Sequence, residues 1–282
     1  VLPVNACTKY ANLKYTTSSW SKDNKAPFSD DADLSLRKLP HEGSQYPYLT
    51  IGDFLENIIV ELDYKVNKDR FFDGNFMAKP GSDRGFLLPI SKMFFDFFTV
   101  EELMGKMKDG KNMVEIKEIS DDVVSVTLRI PIKSTQPNDS YIEDERMYGP
   151  SVPDVNANQG HIKKDSQLEI ALFPCYEFDA TTKPMYRFAT LGSFESNYGV
   201  TFYKGDKELQ GILDPITRNK SYNEYLKIAI SVVEDKKFDH CQLLFDDSSK
   251  CMIVPKFIKN GGGDSYNFAV DFGTTNTHIE YQ

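Results

Sequence analysis

A chain of 282 residues, 40% of them hydrophobic, has enough apolar mass for one large domain or two ordinary ones, which excludes disorder as its general state. Its 33 Lys and Arg face 42 Asp and Glu, a net charge of -9 with no local basic patch, so nucleic acid is not an expected partner. No apolar run approaches the roughly 18 residues of a helical membrane span, and 20 Phe with 15 Tyr tilt the class toward strands.

Residues 1–48 are polar, punctuated by Ser, Asp, Lys and Pro, and carry no sustained period, so an irregular N-terminal segment is expected. An α+β region is predicted over 49–150. In it Ile51, Phe54, Leu55 and Ile58 fit one helical face for about a turn and a half. Val60, Leu62, Tyr64 and Val66 then alternate with polar residues, the pattern of a half-buried strand. Phe86–Ile90 reads as a buried strand, and Met93-Phe94-Phe95-Asp96-Phe97-Phe98 holds too much aromatic surface to leave in water. Thr99 and Glu102 have the spacing at which hydroxyl and carboxylate cap each other's amides, so a short helix is predicted over 100–108. Met113–Ile119 and Val123–Ile130 flank the turn residues Ser120-Asp121-Asp122 and predict a hairpin.

Lys133–Asp165 is polar and rich in Pro, Asn and Asp; it reads as a long loop containing a boundary, with Tyr141–Tyr148 as a solvated or partner-binding stretch. Residues 151–263 form the second, β-rich region. Strand-like runs recur there at Leu168–Phe173, Tyr186–Leu191, Val200–Tyr203, Tyr225–Val233, Phe238–Phe245 and Met252–Ile258. The predicted class is therefore α+β but β-rich: mostly antiparallel sheets or a sandwich with a few short helices. Cys7, Cys175, Cys241 and Cys251 form no C-x-x-C pair, and His41, His161, His240 and His278 have no metal-box spacing, so buried reduced thiols and ordinary histidines are expected. His240 and Cys241, adjacent on a strand, should face opposite ways and so form no dyad.

Gly261-Gly262-Gly263-Asp264 is the clearest linker signal, and it leads into the last segment, 264–282. There Phe268-Ala269-Val270-Asp271-Phe272-Gly273-Thr274-Thr275-Asn276-Thr277 reads as an apolar strand, a tight turn and a returning strand. A carboxylate at a strand end, a glycine admitting close backbone approach and successive Thr amides and hydroxyls suit a phosphate tail with hydrated magnesium.

This motif resembles the first phosphate-binding hairpin of the actin, Hsp70 and sugar-kinase superfamily, in its Hsp70-like and bacterial actin-like form. Asp271, Gly273, Thr274, Thr275 and Asn276 match it directly, and Phe272 stands where Leu is usual. The resemblance covers only the last 15 or so residues. It implies ATP and Mg2+ as ligands of an intact protein, with Asp271 positioning the metal and Thr274 and Thr275 meeting the phosphates. It also implies that the chain is the N-terminal β-rich accessory part of a longer, cytoplasmic ATPase, without catalytic residues of its own, and that it engages a protein partner. In the superfamily the second phosphate loop, further carboxylates and the adenosine-binding segment lie downstream of this hairpin, and no counterpart is found in these 282 residues. A different class also fits the residues: a self-contained β-rich binding or scaffolding protein, with Asp271–Thr277 as its last hairpin.

Overall fold

A computed structural model describes residues 2–3, 51–133, 141–154, 157–177, 185–193, 198–209, 213–219, 226–234, 237–259, 268–272 and 277–281. In chain order, β1 (Leu2–Pro3) and a 3-10 turn (Ile51–Phe54) precede β2 (Ile58–Leu62), β3 (Gly85–Phe86), a second 3-10 turn (Lys92–Asp96) and α1 (Val100–Leu103). Strands then follow one another: β4 (Val114–Ser120), β5 (Val123–Lys133), β6 (Tyr141–Gly149), β7 (Gln159–Lys164), β8 (Glu169–Phe173), β9 (Tyr176–Glu177) and β10 (Met185–Ser193). They continue as β11 (Gly199–Lys204), β12 (Lys207–Glu208), β13 (Leu213–Asn219), β14 (Leu226–Glu234), β15 (His240–Leu244), β16 (Lys250–Ile253), β17 (Ile258–Lys259), β18 (Phe268–Phe272) and β19 (Thr277–Tyr281). The chain is β-rich.

A seven-stranded sheet runs β1-β5-β6-β7-β2-β3, with β4 also paired to β5. Two four-stranded sheets run β13-β14-β10-β8 and β12-β11-β15-β16. Pairing is mostly antiparallel; β7 is parallel to both β6 and β2, and β17 to β9. Because β7 lies between β6 and β2, the regions 49–150 and 151–263 share this sheet.

Two hydrophobic cores form on opposite sides of a central layer. Ile59, Phe86, Leu88, Met252 and Val254 enter the first; their chain neighbours Val60, Leu87, Cys251 and Ile253 enter the second. Period-2 alternation thus feeds both cores from one set of strands, and the amide of Met252 joins the layer to Leu88 O at 2.8 Å. The first core interlocks Phe54 with Phe94 and Phe97, ring centres 6.1 and 5.6 Å apart, both edge to face. The second sets Phe188 against Phe202 (5.9 Å) and Phe202 against Phe238 (4.9 Å).

The hairpin around Ser120-Asp121-Asp122 forms as expected, with a register shift between Glu118 and Ser120. Thr99 and Glu102 form the expected capping box, and Phe94, Phe95, Phe97 and Phe98 are buried. The helix is shorter than predicted: after Leu103 the Gly105 amide turns to Glu102 O, and Gly105 O accepts from Met113, so the segment folds back toward β4.

Four further expectations need correction. The half-buried strand Val60–Val66 is instead β2, ending at Leu62 and buried on both faces, because cores lie on either side of it. The buried strand Phe86–Ile90 is a two-residue strand followed by single bridges at Leu88 and Ile90. The long loop within Lys133–Asp165 contains β6 and β7; Tyr141–Tyr148 is a core-flanking strand whose polar residues pair with β5 and the first 3-10 turn. Residues 134–140 and 155–156 lie outside the described residues, as does the irregular segment 1–48 apart from Leu2–Pro3, which pair with Lys133 and Ile132. β13 was not predicted.

Candidate functional site

Two strands flank the turn on which the phosphate-hairpin expectation falls. β18 and β19 pair antiparallel with Asp271 opposite His278 and Phe272 opposite Thr277. Asp271 is the penultimate residue of the outgoing strand, and four positions, 273–276, join the strands. Gly273, Thr274, Thr275 and Asn276 lie outside the described residues, so of the five predicted site residues the structure places Asp271 alone.

The described side chains build a different feature, an open cleft of about 490 Å³ between β2, the 79–84 segment and the turn after β4. Glu61 and Glu118 end up in it because they continue the core-facing rows of Ile59 on β2 and of Val114 and Ile116 on β4. Both are buried carboxylates at the rim of the first core, and one guanidinium serves both. Arg84 Nη1 donates to Glu61 Oε1 (3.2 Å) and to Asp121 O (2.5 Å), and its Nη2 bonds Glu118 Oε1. The amide of Lys79 donates to Glu118 Oε2 at 3.0 Å. Burial works to raise the Glu118 carboxyl, but the Arg84 bond and the Lys79 amide together hold it below the usual range. Around the mouth, Lys79 faces Asp121 at 3.6 Å and Lys164 faces Asp122 at 3.9 Å.

Chemically this is a tie between the hairpin turn and the centre of the sheet. Arg84 spends its donors on fixed partners, leaving it unsuited to hold an anion, and an ionised Glu118 with both oxygens engaged is no general acid or base. The missed sequence signal is the register itself: a Glu two residues beyond a buried Ile on a strand lies on the buried face.

His240 and Cys241 face opposite sides of β15, as expected: His240 packs on Phe95 of the first core, and Cys241 enters the second. His240 is buried with its ring stacked on Phe95 at 3.8 Å and on Tyr203 at 5.2 Å, and its Nδ1 lies 2.5 Å from Asp239 Oδ1. Its Nε2 is buried without a partner. Cys241 and Cys251 belong to the second core, where burial pushes both thiols far up and makes them inert; Cys175 is also a free thiol. Among the described residues no three His, Cys, Asp or Glu side chains are grouped to hold a metal ion, and no helix is long and apolar enough to cross a membrane.

Comparison with known protein families and with curated proteins finds no match for this chain.

Proposed function

We propose that the chain is the N-terminal β-rich accessory region of a larger Hsp70-like or actin-like ATPase, carrying the first phosphate-binding hairpin of its nucleotide domain. The observation that carries this reading is the antiparallel pair β18–β19, with Asp271 the penultimate residue of the first strand and the Gly-Thr-Thr-Asn positions as the connection. In that role Asp271 orients hydrated Mg2+, Gly273 lets the backbone come close, and Thr274, Thr275 and Asn276 donate to the phosphates of ATP. Magnesium would supply charge neutralisation of the phosphates. The remaining sheets carry no part of the chemistry in this reading and serve a protein partner, in the cytoplasm.

The test is Asp271→Ala in the protein that includes the residues encoded after Gln282. ATP turnover is expected to fall by orders of magnitude while the circular dichroism of the β-rich region is unchanged. Unchanged turnover removes the role of Asp271, and a downstream sequence without a second phosphate loop removes the family.

A self-contained β-rich binding protein is the second reading. It is favoured by exposed apolar side chains around the β9–β17 pair, where Phe173, Tyr176 and Ile258 are 70%, 46% and 40% exposed. Slow amide exchange throughout 268–281 in the isolated chain supports this reading, and fast exchange supports an orphaned first hairpin.

A further inference from the structure

The cleft between β2, the 79–84 segment and the turn after β4 is short of one hydrogen-bond donor. Of the two carboxyl groups at its base, Glu118 has both oxygens engaged, by Arg84 and by the Lys79 amide. Glu61 has only one engaged: its Oε1 accepts from Arg84 Nη1 at 3.2 Å, while Oε2 is buried with no partner. The Glu61 side chain is 9% exposed, so bulk solvent answers little of that deficit, and an acceptor left bare in such a setting is destabilising. Arg84 has no further bond to give, because the same two nitrogens also reach Asp121 O at 2.5 Å and Ser120 O at 3.4 Å.

The walls say what kind of donor fits. Five carboxyl side chains and three basic ones line the cleft. Lys79 and Lys164 face Asp121 and Asp122, and Lys65, outside the lining, reaches Asp83 at 3.0 Å. Arg84 is then the one base between Glu61 and Glu118. An anion meets carboxyl groups on entry, and a bare metal ion finds no three ligands grouped to hold it among the described residues. An ammonium group brings both an N–H and a positive charge. The space of about 490 Å³ is of the size of small-molecule sites and admits an alkyl tail behind the head group. Gly81, also in the lining, has nothing within 4 Å of where a Cβ would stand, which leaves that side open. Arg84 is 20% exposed and the outermost of the three charged groups, and its contact with Glu61 is the longer of its two carboxylate bonds, the one that yields as a head group enters.

We propose that this cleft binds an organic cation bearing a primary ammonium group, which donates to Glu61 Oε2 while Arg84 stays on Glu118 and the carbonyls of the turn. The site uses no residue of the β18–β19 hairpin and is independent of the nucleotide reading.

Amide chemical-shift mapping of the 282-residue chain with propylammonium chloride reads the site. Shifts are expected at Glu61, Gly81, Ser82 and Arg84, saturating with a dissociation constant of about millimolar. Tetramethylammonium chloride, with the same charge and no N–H, is expected to leave these amides in place. Glu61→Gln is expected to weaken propylammonium binding about tenfold. A lysine tripeptide with blocked termini separates two sources of the same group: tighter binding than propylammonium places the ammonium on a partner chain, weaker binding makes it a free amine, and both uphold the site. Equal responses to the two ammonium salts, shifts confined to other residues, or unchanged affinity in Glu61→Gln overturns the proposal. Should Glu61→Gln fail to fold, the comparison of the two salts on the wild type decides it alone.

Discussion

Arg84 concentrates more of the electrostatics of the described residues than any sequence pattern announces. Its guanidinium holds two carboxylates, Glu61 and Glu118, whose side chains are only 9% and 3% exposed, while its own is 20% exposed. Removing the cation leaves both acids buried without their partner, a loss of the kind that costs about 3 kcal/mol. Arg84→Met is therefore expected to lower the unfolding free energy by about that amount in a urea titration, and Glu118→Gln added to it should recover part of the loss. The pH profile carries its own sign. Glu118 is held below its usual value, so its contribution is present above the ordinary carboxyl range and lost as pH falls through the folded value. In Arg84→Met that acid-side contribution is expected to disappear. His240 illustrates the converse case at the same scale, a polar ring accepted into a core because Phe95 and Tyr203 stack on its faces and Asp239 meets one nitrogen.

At the scale of elements, β7 packs beside β6 and β2 because its second residue, Gly160, has no side chain. A Cβ at Gly160 would run into the ring of the fully buried Tyr148 and lie 2.9 Å from Asn57 O, and neither neighbour is free to move, since Tyr148 is tied through its hydroxyl to Glu56 O. Gly160→Ala is expected to cost about 1–3 kcal/mol despite the entropy an alanine removes from the unfolded chain, measured as a lower urea midpoint with an unchanged slope. The elements differ in how far their sequences announce them. The Ser120–Asp122 hairpin and the Thr99–Glu102 cap were legible because their information is local: turn residues between alternating runs, and a hydroxyl three residues before a carboxylate. β6 was not, because Tyr141-Ile142-Glu143-Asp144-Glu145-Arg146 looks solvated until its polar groups find partners elsewhere. Arg146 is satisfied by carbonyls some ninety residues earlier in the chain, and Glu143 by Arg129 at 2.7 Å on β5.

At the scale of the whole molecule, the proposed nucleotide chemistry and the described sheets divide cleanly along the chain. One hairpin offers a phosphate tail a single side, whereas tight nucleotide binding needs groups converging from two, and a net charge of -9 opposes an incoming anion. Calorimetry of magnesium-ATP on the 282-residue chain is accordingly expected to show nothing tighter than about millimolar, roughly 4 kcal/mol of binding free energy; a micromolar site would relocate the nucleotide pocket to the β-rich sheets. The sequence by itself determined that the chain is β-rich, which aromatic runs are buried and where α1 starts, because composition, period and capping act over a few neighbouring residues. Only the tertiary structure decided that β2 is buried on both faces, that Glu61 and Glu118 share Arg84, and that Arg146 meets the Leu55 and Glu56 carbonyls. Each of these depends on which distant strand lies alongside, and burial that removes water from a charged group is a property of that neighbour rather than of the residue's own place in the chain.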